Sequence, residues 1–157
     1  MISEIKTKGT VERIIQYKDG KIEKSVIENT VLTTGQMALA ASLANQFGGQ
    51  YNYFISNMIF GNGGTTASNI PKFVPNYQTG LFGTTVANPY VVAVINPQIP
   101  TQVIFTSVLG YNTANGQILN EMALVMNNGQ FYSMTTFPNL TKNSNMSITW
   151  TWTNSFL

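Results

Sequence analysis

The side chains that could carry out acid–base, nucleophilic or metal chemistry are few in this sequence of 157 residues. Cysteine and histidine are absent, which excludes thiolate and imidazole metal ligands, cysteine nucleophiles and any catalytic triad with a histidine base. Beyond residue 28 the ionisable acid and base side chains are Glu121, Lys72 and Lys142. The sequence therefore predicts no catalytic residue, no metal site and no cofactor.

Glu121 is the one carboxylate outside the first 28 residues, and it lies in the predicted strand "LNEMALVM". A glycosidase would need a second carboxyl group about 5 to 10 Å away, and only the charged N-terminal segment could supply it. A structural role is the better interpretation: an ion pair with Lys72 or Lys142, or hydrogen bonds from backbone amides, would tie the sheet to a loop. The functional alternative is a contact between subunits.

The charged residues are concentrated at one end of the chain. Residues 1–28 contain eleven of the fourteen charged side chains, and residues 29–157 form a charge-poor body. An ordinary soluble domain has about 25% charged residues, so this body must be solvated by Asn, Thr, Ser and Gln. Neutral polar groups can be buried against another protein without the cost of desolvating an ion. We expect a homo-oligomer, the alternative being a stable β protein whose uncharged polar surface simply faces water.

Composition also limits the other classes of partner. A net charge of +2 is too small to predict nucleic acid or an anionic membrane as a partner. No apolar run approaches the roughly 18 residues that would span a bilayer. The start, "MISEIKTKGTVERI", lacks the apolar core of a secretory signal, and we expect the mature chain to begin near Met1.

Alternating patterns predict a mainly β protein. In "NMSITWTWTNSFL", Met146, Ile148, Trp150 and Trp152 alternate with small hydroxyl residues, which predicts a strand over 146–156 with its apolar face in the core. Asp19-Gly20 predicts a hairpin within 1–28, exposed and at a sheet edge, and the "NNG" turn predicts another over 117–137. Further strands are predicted in "YNYFISNMIF" and over 90–95 and 101–109. The fold class is an antiparallel β-sandwich of about seven to eight strands in a single domain, 1–157.

One α-helix is predicted, near residues 34–47. Thr33 or Thr34 would cap it and Gly48-Gly49 would end it. The residues at helical spacing are expected to pack on the sheet; they are Met37, Ala40, Ala41, Leu43, Ala44 and Phe47.

Residues 61–89 form a long segment rich in glycine and proline with no clear periodicity. Such a loop is uncommon in a compact domain unless it binds something. The candidates for an interface with a partner are the aromatic and apolar residues of this region: Phe73, Tyr77, Leu81, Phe82 and Tyr90. Aromatic side chains without acidic neighbours could also stack on sugars, so a carbohydrate-binding module is the alternative from a different class.

Four segments resemble, in order, small virion structural proteins of tailed bacteriophages related to tail-fibre and tail-collar N-terminal domains. They are "NTVLTTGQMALAASLANQ", "ISNMIFGNGGT", "TGLFG" and "ILNEMALVMNNGQFYSMTTFPNLTKNSNMSITWTWT", spread over residues 29 to 153. The resemblance implies a non-enzymatic structural component located in the virion, with copies of itself and other virion proteins as partners. Fibre proteins continue into a repetitive shaft, which is not seen after Leu157. This departure favours a tail, baseplate or collar adaptor, with a head decoration protein as the alternative.

Overall fold

The computed structural model describes residues 7–44 and 53–156. They form two antiparallel sheets of five strands and one helix, so the predicted mainly β, sandwich-like fold is confirmed. The elements are β1 (Thr7–Tyr17), β2 (Ile22–Glu28), β3 (Thr30–Val31), α1 (Thr33–Leu43), β4 (Ile55–Gly61), β5 (Thr85–Ala87), β6 (Val92–Ile95), β7 (Gln102–Leu109), β8 (Ile118–Met126), β9 (Phe131–Thr141) and β10 (Met146–Phe156). The described residues contain more strands than predicted. The strands that were not predicted are β3 and β5, which are too short to show an alternating pattern.

The strands follow a different order in each of the two sheets. Sheet 1 has the order β2-β1-β10-β7-β6, and sheet 2 has the order β3-β9-β8-β4-β5. Both predicted hairpins form: Gly20 in the β1–β2 turn and Gly129 in the β8–β9 turn have φ of 93° and 86°, a region that glycine enters without steric cost. The first hairpin lies at an edge of sheet 1, as predicted, with β2 as the edge strand. Its other strand, β1, is less exposed than expected, because it pairs with β10 and buries Val11 and Ile15.

Strand β10 provides the centre of the core. Its apolar residues Met146, Ile148, Trp150 and Trp152 are all buried between the sheets. The Trp150 ring centroid lies 4.9 Å from that of Phe60 on β4 and 5.4 Å from that of Phe137 on β9. The hydroxyl residues on the other face of β10 are half-buried among the outward side chains of β1 and β7. The neighbouring strands of its own sheet therefore shield this face in part.

Helix α1 packs through a different face from the one predicted. Gly35 and Ala38 are its buried residues, whereas Met37 and Leu43 are exposed. Contact through a glycine brings the helix backbone close to β9, while Leu39, half-buried, packs against the edge of the core. A Cβ atom on Gly35 would collide with the carbonyl oxygen of Tyr132. The large apolar residues alone could not orient the helix, because its fully buried positions are Gly35 and Ala38.

The helix ends also differ from the prediction. Leu32 occupies the N-cap position and no side chain caps the helix. Thr34 donates its hydroxyl to the carbonyl oxygen of Phe131 on β9 instead, so a tertiary contact takes the place of the expected cap. The helix ends at Leu43, and the predicted stop at Gly48-Gly49, like Phe47, lies outside the described residues.

We expect Gly35→Ala to lower the free energy of unfolding by about 1 to 3 kcal/mol, the usual cost of forcing atoms into a filled site. A loss of stability would be informative, because by helix propensity alone alanine should stabilise the helix relative to glycine by about 1 kcal/mol. Urea denaturation measures the change. Gly80→Ala is the control, since nothing lies within 4 Å of a Cβ at that position. A Gly35→Ala protein as stable as the wild type would contradict the close contact.

A second prediction concerns Tyr132 on β9, whose hydroxyl is buried and has no hydrogen-bond partner within 7–44 and 53–156. Burial raises the pKa of this phenol to about 12. Between pH 10 and 12 the unfolded chain releases this proton while the folded chain keeps it, so the free energy of unfolding falls as the pH rises. The fall should reach about 2 to 3 kcal/mol. In denaturation experiments, Tyr132→Phe should lose less free energy of unfolding than the wild type between pH 10 and 12. If the free energy of unfolding of the two proteins depended on pH in the same way, the prediction would be wrong.

Candidate functional site

The carboxylate of Glu121 holds a distant loop onto the outer face of sheet 2. Its Oε1 accepts hydrogen bonds from the amides of Gly63 (2.8 Å) and Gly83 (2.9 Å), and its Oε2 accepts one from Phe82 (2.7 Å). The side chain is fully buried. Hydrogen bonds to an ionised acceptor are the strong ones among protein hydrogen bonds. Because both oxygens are engaged and neither is exposed, this carboxylate is not placed to transfer a proton to a substrate.

The neighbouring Asn120 completes this anchor. Its Oδ1 accepts from the Gly64 amide (2.7 Å), and its Nδ2 donates to Thr65 Oγ1 and Asn139 Oδ1, both at 3.0 Å. Two successive residues of a regular strand would face opposite sides. The β8–β9 register shifts between Leu119 and Glu121, and a bulge of this kind re-aims side chains. Sequence reasoning did not identify Asn120; an Asn-Glu pair inside an apolar strand is the signal that could have found it.

Apolar contacts reinforce the polar anchor. Ala123 and Met134 are cross-strand partners on β8 and β9, and they belong to a second buried cluster, separate from the core between the sheets. Val74, Leu81 and Phe82 of the loop pack on this cluster. The segment 62–84 therefore forms a third layer on sheet 2, which explains why nearly every residue of β8 is buried.

The two lysines outside the N-terminal segment do not pair with Glu121. Lys72 places its Nζ 5.3 Å from the ring centroid of Phe82. Lys142 is buried and donates from Nζ to Asn115 Oδ1 and to the Asn143 carbonyl oxygen, both at 3.0 Å, and burial lowers the pKa of its ammonium group. Of the two structural alternatives for Glu121, the structure therefore forms the hydrogen bonds from backbone amides, and neither Lys72 nor Lys142 forms the ion pair.

The five predicted interface residues fall into two groups. Phe73, Tyr77 and Tyr90 are exposed. Leu81 and Phe82 are half-buried and pack on the second cluster. The structure thus brings Leu81 and Phe82 to the Glu121 anchor and leaves the other three available to a partner.

Strand β6 is an uncharged edge whose position sequence reasoning did not foresee. Its four residues, Val92–Ile95, are all exposed. It pairs with β7 on one side, and no strand in the described ranges pairs with its other side. Since backbone groups in an antiparallel ladder alternate in direction, and Asn96 donates toward Gln102 on the β7 side, the peptide groups of Ala93 and Ile95 face away from β7. The signal in the sequence is the continuous uncharged run "YVVAVI".

The described residues contain no cluster of three or more potential metal-binding side chains. None of the helical segments within 7–44 and 53–156 is long and apolar enough to cross a membrane. Comparison with protein-family models, with curated proteins and with solved structures gives no significant match to this chain. The geometry of its own residues therefore has to support any proposal about function.

We expect Glu121→Gln to release the loop, because the new amide NH₂ group would face a backbone N–H donor. The free energy of unfolding should fall by about 2 to 4 kcal/mol, in the range for removing a charged acceptor from buried donors. Hydrogen exchange of the Gly63, Phe82 and Gly83 amides should accelerate more than that of β10. Glu12→Gln is the matched control, because Glu12 is exposed on β1 and such changes usually stay within about 0.5 kcal/mol. Unaltered exchange of the three amides would show that the carboxylate does not hold the loop.

Proposed function

We propose that this protein is a non-enzymatic structural subunit that associates with a second copy of itself through the β6 edge of sheet 1. The observation that carries this proposal is the contrast between the two edges of that sheet. An exposed edge strand offers unpaired N–H and C=O groups to any other strand, and proteins that remain monomeric usually protect such edges with charged residues. One edge of sheet 1 is protected in this way and the other is not.

The protected edge is β2. It carries Glu23, Lys24 and Glu28, and Lys21 beside it forms a 2.9 Å ion pair with Glu23. A strand approaching this edge would have to desolvate these charges. The unprotected edge, β6, consists of Val, Ala, Val and Ile, and Tyr90 beside it is exposed. Covering β6 would bury apolar side chains and pair the peptide groups of Ala93 and Ile95, which face away from β7.

A two-fold arrangement of two β6 strands is the simplest way to cover this edge. Antiparallel pairing of a strand with its own copy is self-complementary and closed, so it produces a dimer and not an open fibre. The charge-poor body around it can be buried at low desolvation cost, since it presents neutral amides and hydroxyls. Exposed aromatic residues such as Tyr90 are the type that anchor interfaces.

We infer that this assembly serves in a tailed-phage particle, as an adaptor in the tail, baseplate or collar. The support is the resemblance of the segments between residues 29 and 153 to virion structural proteins, together with an uncharged surface suited to permanent assembly. Repetition by symmetry would multiply modest contacts into a stable structure. Head decoration is the alternative position, and the two are distinguished by the number of copies in each particle.

The proposal is tested with two matched valines. Val92 on β6 and Val26 on β2 are 67% and 69% exposed, and both lie on edge strands of sheet 1. We expect Val92→Lys to abolish self-association, because a charge would be buried in the new strand pair and repelled by its symmetry mate. Val26→Lys should leave association unchanged. Sedimentation equilibrium over a range of concentrations measures the mass.

Circular dichroism would verify that both variants are folded. A wild-type protein that stays monomeric at the highest concentration would overturn the proposed self-association. Equal weakening by Val92→Lys and Val26→Lys would show that association does not involve the β6 edge.

A further inference from the structure

The open part of the β6 edge has a definite beginning. Just before it, the chain still runs along β4 of sheet 2, and the Val91 amide donates to the Ser56 carbonyl oxygen at 3.0 Å. Pairing with β7 of sheet 1 begins only at Val92. Because β4 lies on the side of Val91 that faces away from β7, a strand from another molecule could not continue along the edge past Val92.

The open part of the edge also has a definite end. Pro97 has no N–H group that could donate to a neighbouring strand. The chain turns at this point, because the Asn96 Oδ1 accepts hydrogen bonds from the amides of Gln98 (3.0 Å) and Ile99 (3.3 Å). The open window of β6 is therefore limited to residues 92–96.

The open window is complementary to itself. Within it, only the peptide groups of Ala93 and Ile95 face away from β7, and these two residues lie on either side of Val94. Directly opposite residues of an antiparallel pair exchange both N–H···O hydrogen bonds when their peptide groups point toward each other. If a two-fold axis passes between two Val94 residues, Ala93 of each copy lies opposite Ile95 of the other. Every outward N–H and C=O group of both windows then has a partner.

Neighbouring registers satisfy fewer of these groups. With the axis between two Ala93 residues, Ile95 would lie opposite Val91, whose amide is already bonded to β4. With the axis between two Ile95 residues, Ala93 would lie opposite Pro97, which has no N–H group. A shift by a single residue would place outward peptide groups opposite groups that are already bonded to β7. Since buried peptide groups without partners are costly, the axis between the Val94 residues is favoured.

We propose that two β6 strands pair antiparallel about a two-fold axis between their Val94 residues, so that Ala93 and Ile95 exchange hydrogen bonds between the copies. This inference rests on the proposed self-association and specifies its register. The two copies of sheet 1 would then form one continuous sheet. The two Val94 residues would be a directly opposite pair without hydrogen bonds, with Cα atoms about 4.5 Å apart. The two Val92 residues would be four positions out of register, or about 13 Å apart along the strands.

Disulfide formation between copies measures this register, because the chain contains no cysteine of its own. Two cysteines are usually bridged only when their Cα atoms are about 4.4 to 6.8 Å apart. Val94→Cys should therefore form a covalent dimer under oxidised glutathione. Val92→Cys is the matched control, since Val92 and Val94 are 67% and 52% exposed on the same face of β6. Val26→Cys on the β2 edge reports random collisions.

We expect Val94→Cys to cross-link about tenfold faster or more than either control, because the proposed axis holds two thiols together at high effective concentration only at that position. Non-reducing electrophoresis measures the rates, at a protein concentration where the wild type is dimeric by sedimentation equilibrium. Circular dichroism and sedimentation of the reduced variants verify that they fold and associate like the wild type.

The outcomes separate the register from the self-association on which it rests. A wild-type protein that stays monomeric at the highest concentration would overturn both. A dimeric wild type in which Val94→Cys cross-links no faster than Val92→Cys would overturn the proposed register alone. Fast cross-linking of Val94→Cys, with slow cross-linking of Val92→Cys and Val26→Cys, would support the pairing about Val94.

Discussion

The burial of the apolar face of β10 is the constraint on which the rest of the fold depends. This strand lies at the centre of sheet 1, and Trp150 reaches across to Phe60 and Phe137 of sheet 2. Two tryptophans can be removed from water only if both sheets close over them, and side chains of this size contribute a large share of the apolar area that a core buries. Strands β1 and β7 flank β10 in sheet 1, and sheet 2 faces it across the core.

Closing the sandwich leaves sheet 2 with an outer face that is also apolar, and the loop 62–84 covers it. A loop cannot normally be buried, since its backbone polar groups need partners. Glu121 and Asn120 provide acceptors for the amides of Gly63, Gly64, Phe82 and Gly83. The structural role expected for the lone carboxylate, Glu121, is thereby explained by the hydrogen-bonding needs of a layer without regular secondary structure.

The same architecture leaves one side of the molecule incomplete. Charges occupy the β2 edge, but β6 has uncharged, exposed residues, and no strand among the described residues pairs with its outer side. Edge pairing with a second copy would satisfy the peptide groups of Ala93 and Ile95 on that side. The loop that covers sheet 2, by contrast, already has internal hydrogen-bond acceptors for its amides.

Local features of the sequence determined the strands and turns. The alternation along β10 requires a strand because only a period of two separates its tryptophans from its threonines, and Gly20 and Gly129 mark turns because they take positive φ. Only the tertiary structure decided which face of α1 is buried, what Glu121 binds, and which edge is left open. Those outcomes depend on contacts between distant positions, such as Glu121 with Gly63, 58 residues apart, or Gly35 with Tyr132. A local pattern contains no information about such a neighbour, since the neighbour exists only once the sheets have closed.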